Sequence, residues 1–407
     1  MSRIAITGMG AVTPVGTGVG EFWRSLVSGC CGIGVLDRFT DEDIPVRVAA
    51  LVRGFDAGLY MPGKLAKDSS RFSQYAFAAA AEALGQSGLD TASEAGRTGV
   101  TMGTAMAGVV DIAATQEEMT RSGESKVSPR FVPKTLGNIA AAQIAIEYGL
   151  TGPSITVSTA CSSGGDAIKL AMMLLRSGEA DAMVAVGADS IICPLVTSSL
   201  SMAKALSRET DPMAACRPFD VRRNGFVMGE GGGALVLETE EHARARGAAI
   251  LGYILSAASN NDAYHITSPA PDGRGARACM REALRQAGLG PEDIGYVNAH
   301  GTSTPVGDGI EAAAIREVFG ACTPAVSSTK AATGHMMGAG GITEVISCVL
   351  ACREGVLPAT IGTSELDPAC EGVDIITAEA RKCRVRTAMS NAFGFGGQNS
   401  SIIVSAE

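Results

Sequence analysis

The chain has 407 residues, 46% of them apolar, enough for two domains or two fused halves with sizeable cores. Its net charge of −9 excludes a broad electrostatic grip on nucleic acid, and no apolar run reaches membrane-spanning length. The opening "MSRIAITGMGAVTP" reads as a strand and a turn, without the cationic and apolar segments of a secretory leader, so a cytoplasmic protein is expected.

In chain order, "RIAITGMGAVTP" is the first predicted strand. Segments near 37–69, 115–134 and 201–225 are richer in charge and proline and read as loop insertions capping one face, candidates for a substrate mouth or a subunit contact. Residues 154–160 form a short β-type run. The segment 162–177 follows with apolar residues at 167, 168, 171, 172, 174 and 175, the spacing of a helix, and "DAMVAVGA" (181–188) is another strand. Gly178 stands where a helix C′ residue belongs. At 248, "AAILGYILSAAS" resembles the opening strand and suggests a pseudo-repeat. Then "IGYVNAH" (294–300) and "AVSSTK" (325–330) read as strands and "GGITEVISCVLACREG" (340–355) as a helix. The alternation predicts an α/β fold, in which chemistry collects at the carboxyl ends of strands. Cys161, His300 and Lys330 all fall at such ends.

Eleven cysteines are scattered and odd in number, with neither CxxC nor a Cys/His metal-ligand pattern, so free thiols are expected and no metal site. Cys30, Cys193, Cys279 and Cys348 read as small core filler. Cys161, in "STACSSGGDA", differs. Placed at the first turn of a helix, its thiolate would be stabilised by unpaired N–H groups and the helix dipole, although apolar neighbours would act in the opposite direction. Four histidines are present. His300 and His335 lie on similar Gly/Thr-rich turns after strands, either structural or catalytic; His242 reads as a solvated helix residue, and His265 as a loop brace through Asp262 or a backbone carbonyl.

"TACSSG", "NAHGTSTPVGD", "SSTKAATGHMMGAGG" and "SNAFGFGGQNSSIIV", in this order and spacing, resemble the elongating β-ketoacyl-acyl-carrier-protein synthases of type II. The likeness runs from "ITGMGAVTPVG" through "RPFDVRRNGFVMGEGGGALVLE" to the C-terminal glycine loop. It implies the thiolase fold: two halves, here 1–247 and 248–407, each a five-stranded mixed sheet, stacked as α-β-α-β-α layers and usually dimeric.

The resemblance also implies roles. Cys161 is the acylated nucleophile, and His300 and His335 serve decarboxylation of malonyl carrier protein. Lys330 and Glu344 position His335 by charge and hydrogen bonding. Backbone N–H groups of Cys161 and Phe395 form an oxyanion hole, and Phe393 and Phe395 belong to a gating loop. Met106 lines the acyl pocket, and Phe131 reaches in from a partner subunit. Lys64, Lys67, Lys126, Arg130, Lys204 and Arg208 are candidates for docking an acidic acyl carrier protein. No cofactor is implied.

The implied reaction is decarboxylative Claisen condensation. A biosynthetic thiolase would need a second catalytic cysteine in the C-terminal glycine loop, where this chain has "FGFGGQ", and an initiating synthase would pair Cys with His and Asn. A non-catalytic chain-length partner would lack the nucleophile. Two pathways stay open: fatty-acid elongation, or the ketosynthase subunit of a discrete type II polyketide synthase paired with a chain-length factor. "HGTSTPVGD" favours the first; "TACSSG", Phe219 and Arg130 depart from the common pattern and leave chain length and partner open.

Overall fold

The computed structural model describes residues 3–39 and 41–407. Ten strands build its frame. The first five are β1 (Ile4–Thr13), β2 (Thr98–Gly103), β3 (Ser154–Val157), β4 (Ala182–Asp189) and β5 (Gly231–Thr239). The second five are β6 (Gly252–Asn261), β7 (Tyr296–Asn298), β8 (Ala325–Ser327), β9 (Thr387–Gly394) and β10 (Gln398–Ser405). They run side by side as β3-β2-β4-β5-β1 and as β8-β7-β9-β10-β6. In each set the first two pairings are parallel and the last two antiparallel. The pseudo-repeat suggested by two similar opening strands is therefore a repeat of strand order and direction.

The two sets are not separate sheets, as the resemblance implied. Ile4, Ala5 and Ile6 of β1 pair on one side with β5 and on the other with Ile254, Tyr253 and Gly252 of β6. This seam satisfies the N–H and C=O groups that each sheet would otherwise leave at an edge.

Four helices make the layers. α1 (Arg71–Ser87) covers β1, β4 and β5, and α3 (Arg274–Ala287) covers β6 and β10. Between them lie α2 (Ser163–Arg176) and α4 (Gly340–Glu354), which touch each other and strands of both sets, completing the α-β-α-β-α order of the thiolase fold. Residues 340–351 of α4 are all buried, which explains why apolar residues occur on every side of that segment. The central layer is thin because it is built on glycine: a Cβ at Gly164 would meet the Gly338 carbonyl oxygen at 2.4 Å. This close approach brings the start of α2 against the segment that carries His335.

α2 ends as predicted, with Ser177 as C-cap and Gly178 at φ 75. The strands bearing chemistry are shorter than expected, because the chain leaves the ladder two to four residues before each reactive side chain. The expected loop at 115–134 is corrected: a helix, Val109–Ser122, runs into it and a second, Phe131–Thr135, closes it. Its Ala, Gln, Glu and Met content sustains helix despite the charge. Cys193, Cys279 and Cys348 are buried, but Cys30 is exposed, two residues past the C-cap of the Val19–Val27 helix, and so is not core filler. Among the described residues no helix is long and apolar enough to cross a membrane.

Candidate active site

After β3 the chain passes through a 3₁₀ turn, Ala160–Ser162, and α2 begins only at Ser163. Cys161 thus precedes the helix instead of occupying its first turn. Ala160 holds φ 52, a left-handed backbone that alanine adopts only where neighbours enforce it. Ser163 Oγ donates to the Ala160 carbonyl at 2.6 Å and accepts the Thr159 N–H at 2.9 Å. Asp166 accepts the Thr159 hydroxyl at 2.6 Å and, across the interface between the two strand sets, the Ser259 hydroxyl at 2.5 Å.

The backbone N–H groups of Phe395 and of Cys161 itself face Sγ. The expected thiolate stabilisation is not met. Burial pushes the Cys161 thiol up to about 11, outweighing those N–H groups and the charge of Lys330.

His335 Nε2 lies 3.0 Å from Cys161 Sγ, while its Nδ1 accepts the Met337 N–H at 3.3 Å. That pattern assigns the ring proton to Nε2. The backbone of His335 is fixed by its N–H to the Val227 carbonyl at 2.7 Å and by the Gly229 N–H to its own carbonyl at 2.9 Å. The Phe226 ring stands edge-on, with centroids 5.3 Å apart. The His300 turn is held by Glu311, whose two oxygens accept the N–H groups of His300 and Gly301 at 2.8 and 2.7 Å. The two imidazoles lie 5.4 Å apart, nearly perpendicular, and His300 Nδ1 is buried without a partner among the described residues. One donor atom each from Cys161, His300 and His335 lies within 4.8 Å of the others. Burial first, and then the charge of Lys330, hold both imidazoles well below their ordinary range, so both are neutral at physiological pH.

Lys330 Nζ and Glu344 Oε1 form a buried pair at 2.5 Å. Among the described residues neither hydrogen-bonds His335, which corrects that part of the expectation; Lys330 reaches the imidazoles through its charge. A Cys/His/His set has the composition that suits zinc. Here the potential of Lys330 opposes a cation, and it favours a thiolate or an enolate at the same spot.

Phe395 is 38% exposed between Gly394 and Gly396, and the Phe393 ring is 6.0 Å from His300. Met106 is 44% exposed; Phe131 opens its short helix half-buried. The candidate docking cations are all exposed but form two groups. Lys64 and Lys67 share the helix Gly63–Asp68, to which Arg130 is tied by an ion pair with Asp68, and Lys126 lies in the exposed stretch before Arg130. Lys204 and Arg208 flank Leu206, which pairs with Phe226 beside His335.

The two remaining histidines differ from their readings. His242 is not solvated: it contacts Glu238 at 2.6 Å and Glu94 at 3.3 Å. His265 does brace its loop, but its Nδ1 accepts the N–H groups of Thr267 and Ser268, and Asp262 bonds elsewhere. Sequence reasoning also missed Asp189, a carboxylate closing an entirely apolar strand, which was the available signal. It missed as well the apolar cluster of Ile191, Ile192, Val196 and Phe226 that packs beside Cys161, for which contiguity in three dimensions is the only signal.

The Beta-ketoacyl synthase N-terminal domain family matches residues 1–243, and the Beta-ketoacyl synthase C-terminal domain family matches residues 251–364. The 3-oxoacyl-[acyl-carrier-protein] synthase 2 of Vibrio cholerae is 43% identical over 98% of this chain and 98% of the relative, and that of Coxiella burnetii 40% over 99% and 98%. Among solved structures, the ishigamide ketosynthase/chain length factor superposes with a TM-score of 0.92 at 33% identity, covering 100% of this chain and 99% of that one. A beta-ketoacyl synthase from Burkholderia phymatum gives 0.92 at 34%, with both chains fully covered. A type II polyketide ketosynthase in complex with its acyl carrier protein gives 0.90 at 30%, covering 100% and 99%. Two matched domains spanning most of the chain, on a repeated frame that gathers a cysteine and two histidines, make this chain a member of the β-ketoacyl synthase family.

Proposed function

We propose that the chain is a β-ketoacyl-acyl-carrier-protein synthase, condensing an acyl group held on Cys161 with malonyl carrier protein. The observation that carries this is the mutual approach of one sulfur and two neutral imidazoles in a buried site that feels the charge of Lys330.

In the first half-reaction, Cys161 sulfur attacks an acyl thioester. The N–H groups of Cys161 and Phe395 bond the oxygen that becomes negative, and the thiol proton leaves on the carrier's sulfur. Because His335 carries its proton on Nε2, it stabilises the attacking sulfur as a donor and takes no proton from it. In the second, malonyl thioester loses CO₂ and the electron pair moves onto the thioester oxygen. Donation from His335 Nε2–H and from His300 lowers that barrier, and neutral rings have such a proton to give. The enolate carbon attacks the acyl-Cys161 carbonyl, the C–S bond breaks, and the cysteine sulfur takes up a proton. Lys330 favours each anionic stage without proton transfer. Phe393 and Phe395 would gate entry, and Met106, with Phe131 from a second subunit, would bound the acyl chain.

Acyl carrier protein is the expected partner, acidic and docked at the Lys64, Lys67 and Arg130 side or at the Lys204 and Arg208 side. A second subunit is expected at β3, an edge strand whose Ile155 is 41% exposed although its sheet neighbours are buried. Identities of 40–43% to 3-oxoacyl-[acyl-carrier-protein] synthases 2, against 30% to the type II polyketide ketosynthase, support the fatty-acid reading. The second reading, the active subunit of a discrete polyketide synthase with a chain-length factor, is supported by the superposition on the ishigamide ketosynthase/chain length factor at a TM-score of 0.92. A non-catalytic partner is disfavoured by the intact Cys161 site.

Co-purification from the native host, followed by product mass analysis with malonyl carrier protein, separates them. A self-paired enzyme making saturated-pathway intermediates supports fatty-acid elongation. A mixed pair making longer or unsaturated chains supports the polyketide reading, and a purified protein forming no acyl-enzyme overturns both.

A further inference from the structure

β4 ends in Asp189, whose side chain is fully buried and whose carboxylate meets four donors from two separate segments. The Thr104 hydroxyl at 2.8 Å and the Met106 N–H at 3.2 Å reach Oδ1; the Ala105 N–H and the Gly338 N–H, both at 2.8 Å, reach Oδ2. One oxygen is thus shared by the loop that carries Met106 and by the turn that carries His335. The nucleophile turn is attached at one remove. The Thr104 carbonyl accepts from Ser163 Oγ at 3.4 Å, and the same hydroxyl braces Ala160.

Each of these three segments contains a non-glycine residue in the left-handed region: Ala107 at φ 46, Ala160 at φ 52 and Met337 at φ 49. Such conformations persist only where the surroundings impose them. Among the described residues no lysine or arginine hydrogen-bonds Asp189, and burial pushes its carboxyl up to about 6. Its charge raises the Cys161 thiol, so it does not assist the nucleophile electrostatically. What it supplies is geometry. There is no slack at the shared oxygen, since a Cβ at Gly338 would stand 2.7 Å from Asp189 Oδ2 and 3.0 Å from Thr104 Cα.

We propose that Asp189 is a positioning residue that holds the Met106 loop and the His335 turn in one register, so that acyl-chain selection and malonyl decarboxylation depend on the same carboxylate. This rests on the ketosynthase reading. An acyl chain that displaces residues 104–107 shifts the acceptor of the Gly338 N–H, and with it the turn that aims His335 Nε2 at the sulfur. Each half-reaction thereby feels the other.

The test compares Asp189→Asn, Thr104→Val and Gly338→Ala with the unmodified protein. Acyl transfer from carriers loaded with different chain lengths and CO₂ release from malonyl carrier are measured separately, per active site counted by acyl-adduct mass. Thr104→Val is expected to change the chain-length pattern of KM and, through the shared carboxylate, to lower decarboxylation kcat several-fold, and Gly338→Ala to lower decarboxylation kcat about tenfold or more and to shift the chain-length pattern as well. Asp189→Asn is expected to do both. Asp189→Asn with the unmodified chain-length pattern and decarboxylation kcat, whatever its loss of folded protein, overturns the proposal. If Asp189→Asn does not fold, the other two decide: an arm variant that leaves either half-reaction unchanged overturns it. An unmodified protein that neither takes an acyl group nor releases CO₂ overturns the ketosynthase reading, and the proposal with it.

Discussion

His335 presents Nε2 to the Cys161 sulfur at 3.0 Å while its Nδ1 is engaged by the Met337 N–H. The ring therefore faces the sulfur as a donor, and the resting pair is thiol and imidazole, not thiolate and imidazolium. Alkylation by iodoacetamide, followed by intact mass, is expected to accelerate about tenfold per pH unit through neutrality, without a plateau below pH 9, since the thiol is pushed up to about 11. A plateau near pH 7 would mean that a charged pair forms after all.

The division of labour between the two residues gives a second expectation. Cys161→Ala should form no acyl adduct by intact mass; an adduct that persisted would move the role to another thiol. His335→Ala should accept the acyl group and decarboxylate malonyl carrier about 100- to 1000-fold more slowly, the loss typical of a donor at a developing oxyanion. Normal CO₂ release by that variant would remove His335 from the decarboxylation step.

The Lys330–Glu344 pair separates folding from chemistry. Lys330→Met leaves Glu344, whose Oε2 already lacks a partner, buried and unpaired, at a cost of about 3–5 kcal/mol in denaturant unfolding. Adding Glu344→Leu should restore much of that stability while decarboxylation stays slow, because the positive potential is gone. A double variant with normal turnover would show that the charge has no part in the reaction.

Glu311 offers a pH test. Burial is the leading cause that pushes its carboxyl up to about 7, against the pull of the His300 and Gly301 N–H groups. A carboxyl raised on folding favours the native state while it is protonated, so its contribution is present below the unfolded value of about 4.3 and is lost as pH rises through about 7. Glu311→Gln carries no charge at any pH. Its stability relative to the unmodified protein should therefore improve between pH 5.5 and 8. Asp189 and Asp308, each pushed up to about 6, act in the same sense in both proteins, and His300 and His335 in the opposite sense below about 6.5. The difference between the two proteins reports Glu311 together with its charge coupling to Asp308, and a pH-independent difference would refute the assignment.

Charge reversal at Lys64 and Lys67 should raise KM for carrier-bound substrates several-fold, more at low salt, with kcat preserved. An unchanged KM would place the carrier elsewhere, and Lys204 and Arg208 would be next to be reversed.

Much of the site was legible in the sequence because its groups follow β-type runs that end in polar residues. Cys161 after 154–157, His300 after 296–298 and Lys330 after 325–327 could be located from apolar runs and their turns. The phase of α2 could not. One residue more or less before Ser163 decides whether helix N–H groups or those of Phe395 and Cys161 face the sulfur, and no periodicity resolves that. The pKa of Cys161 was equally hidden, since it depends on burial by residues distant in sequence. Asp189 was unread for a related reason: three of its four partners are backbone N–H groups, of 105, 106 and 338, which almost any residue type would supply.

The seam between β1 and β6 has a consequence for biosynthesis. Residues 4–6 are translated long before one of their two partners, residues 252–254. The sulfur is likewise made well before either imidazole. A nascent chain therefore cannot bring the sulfur and the two imidazoles together until both repeats have been made.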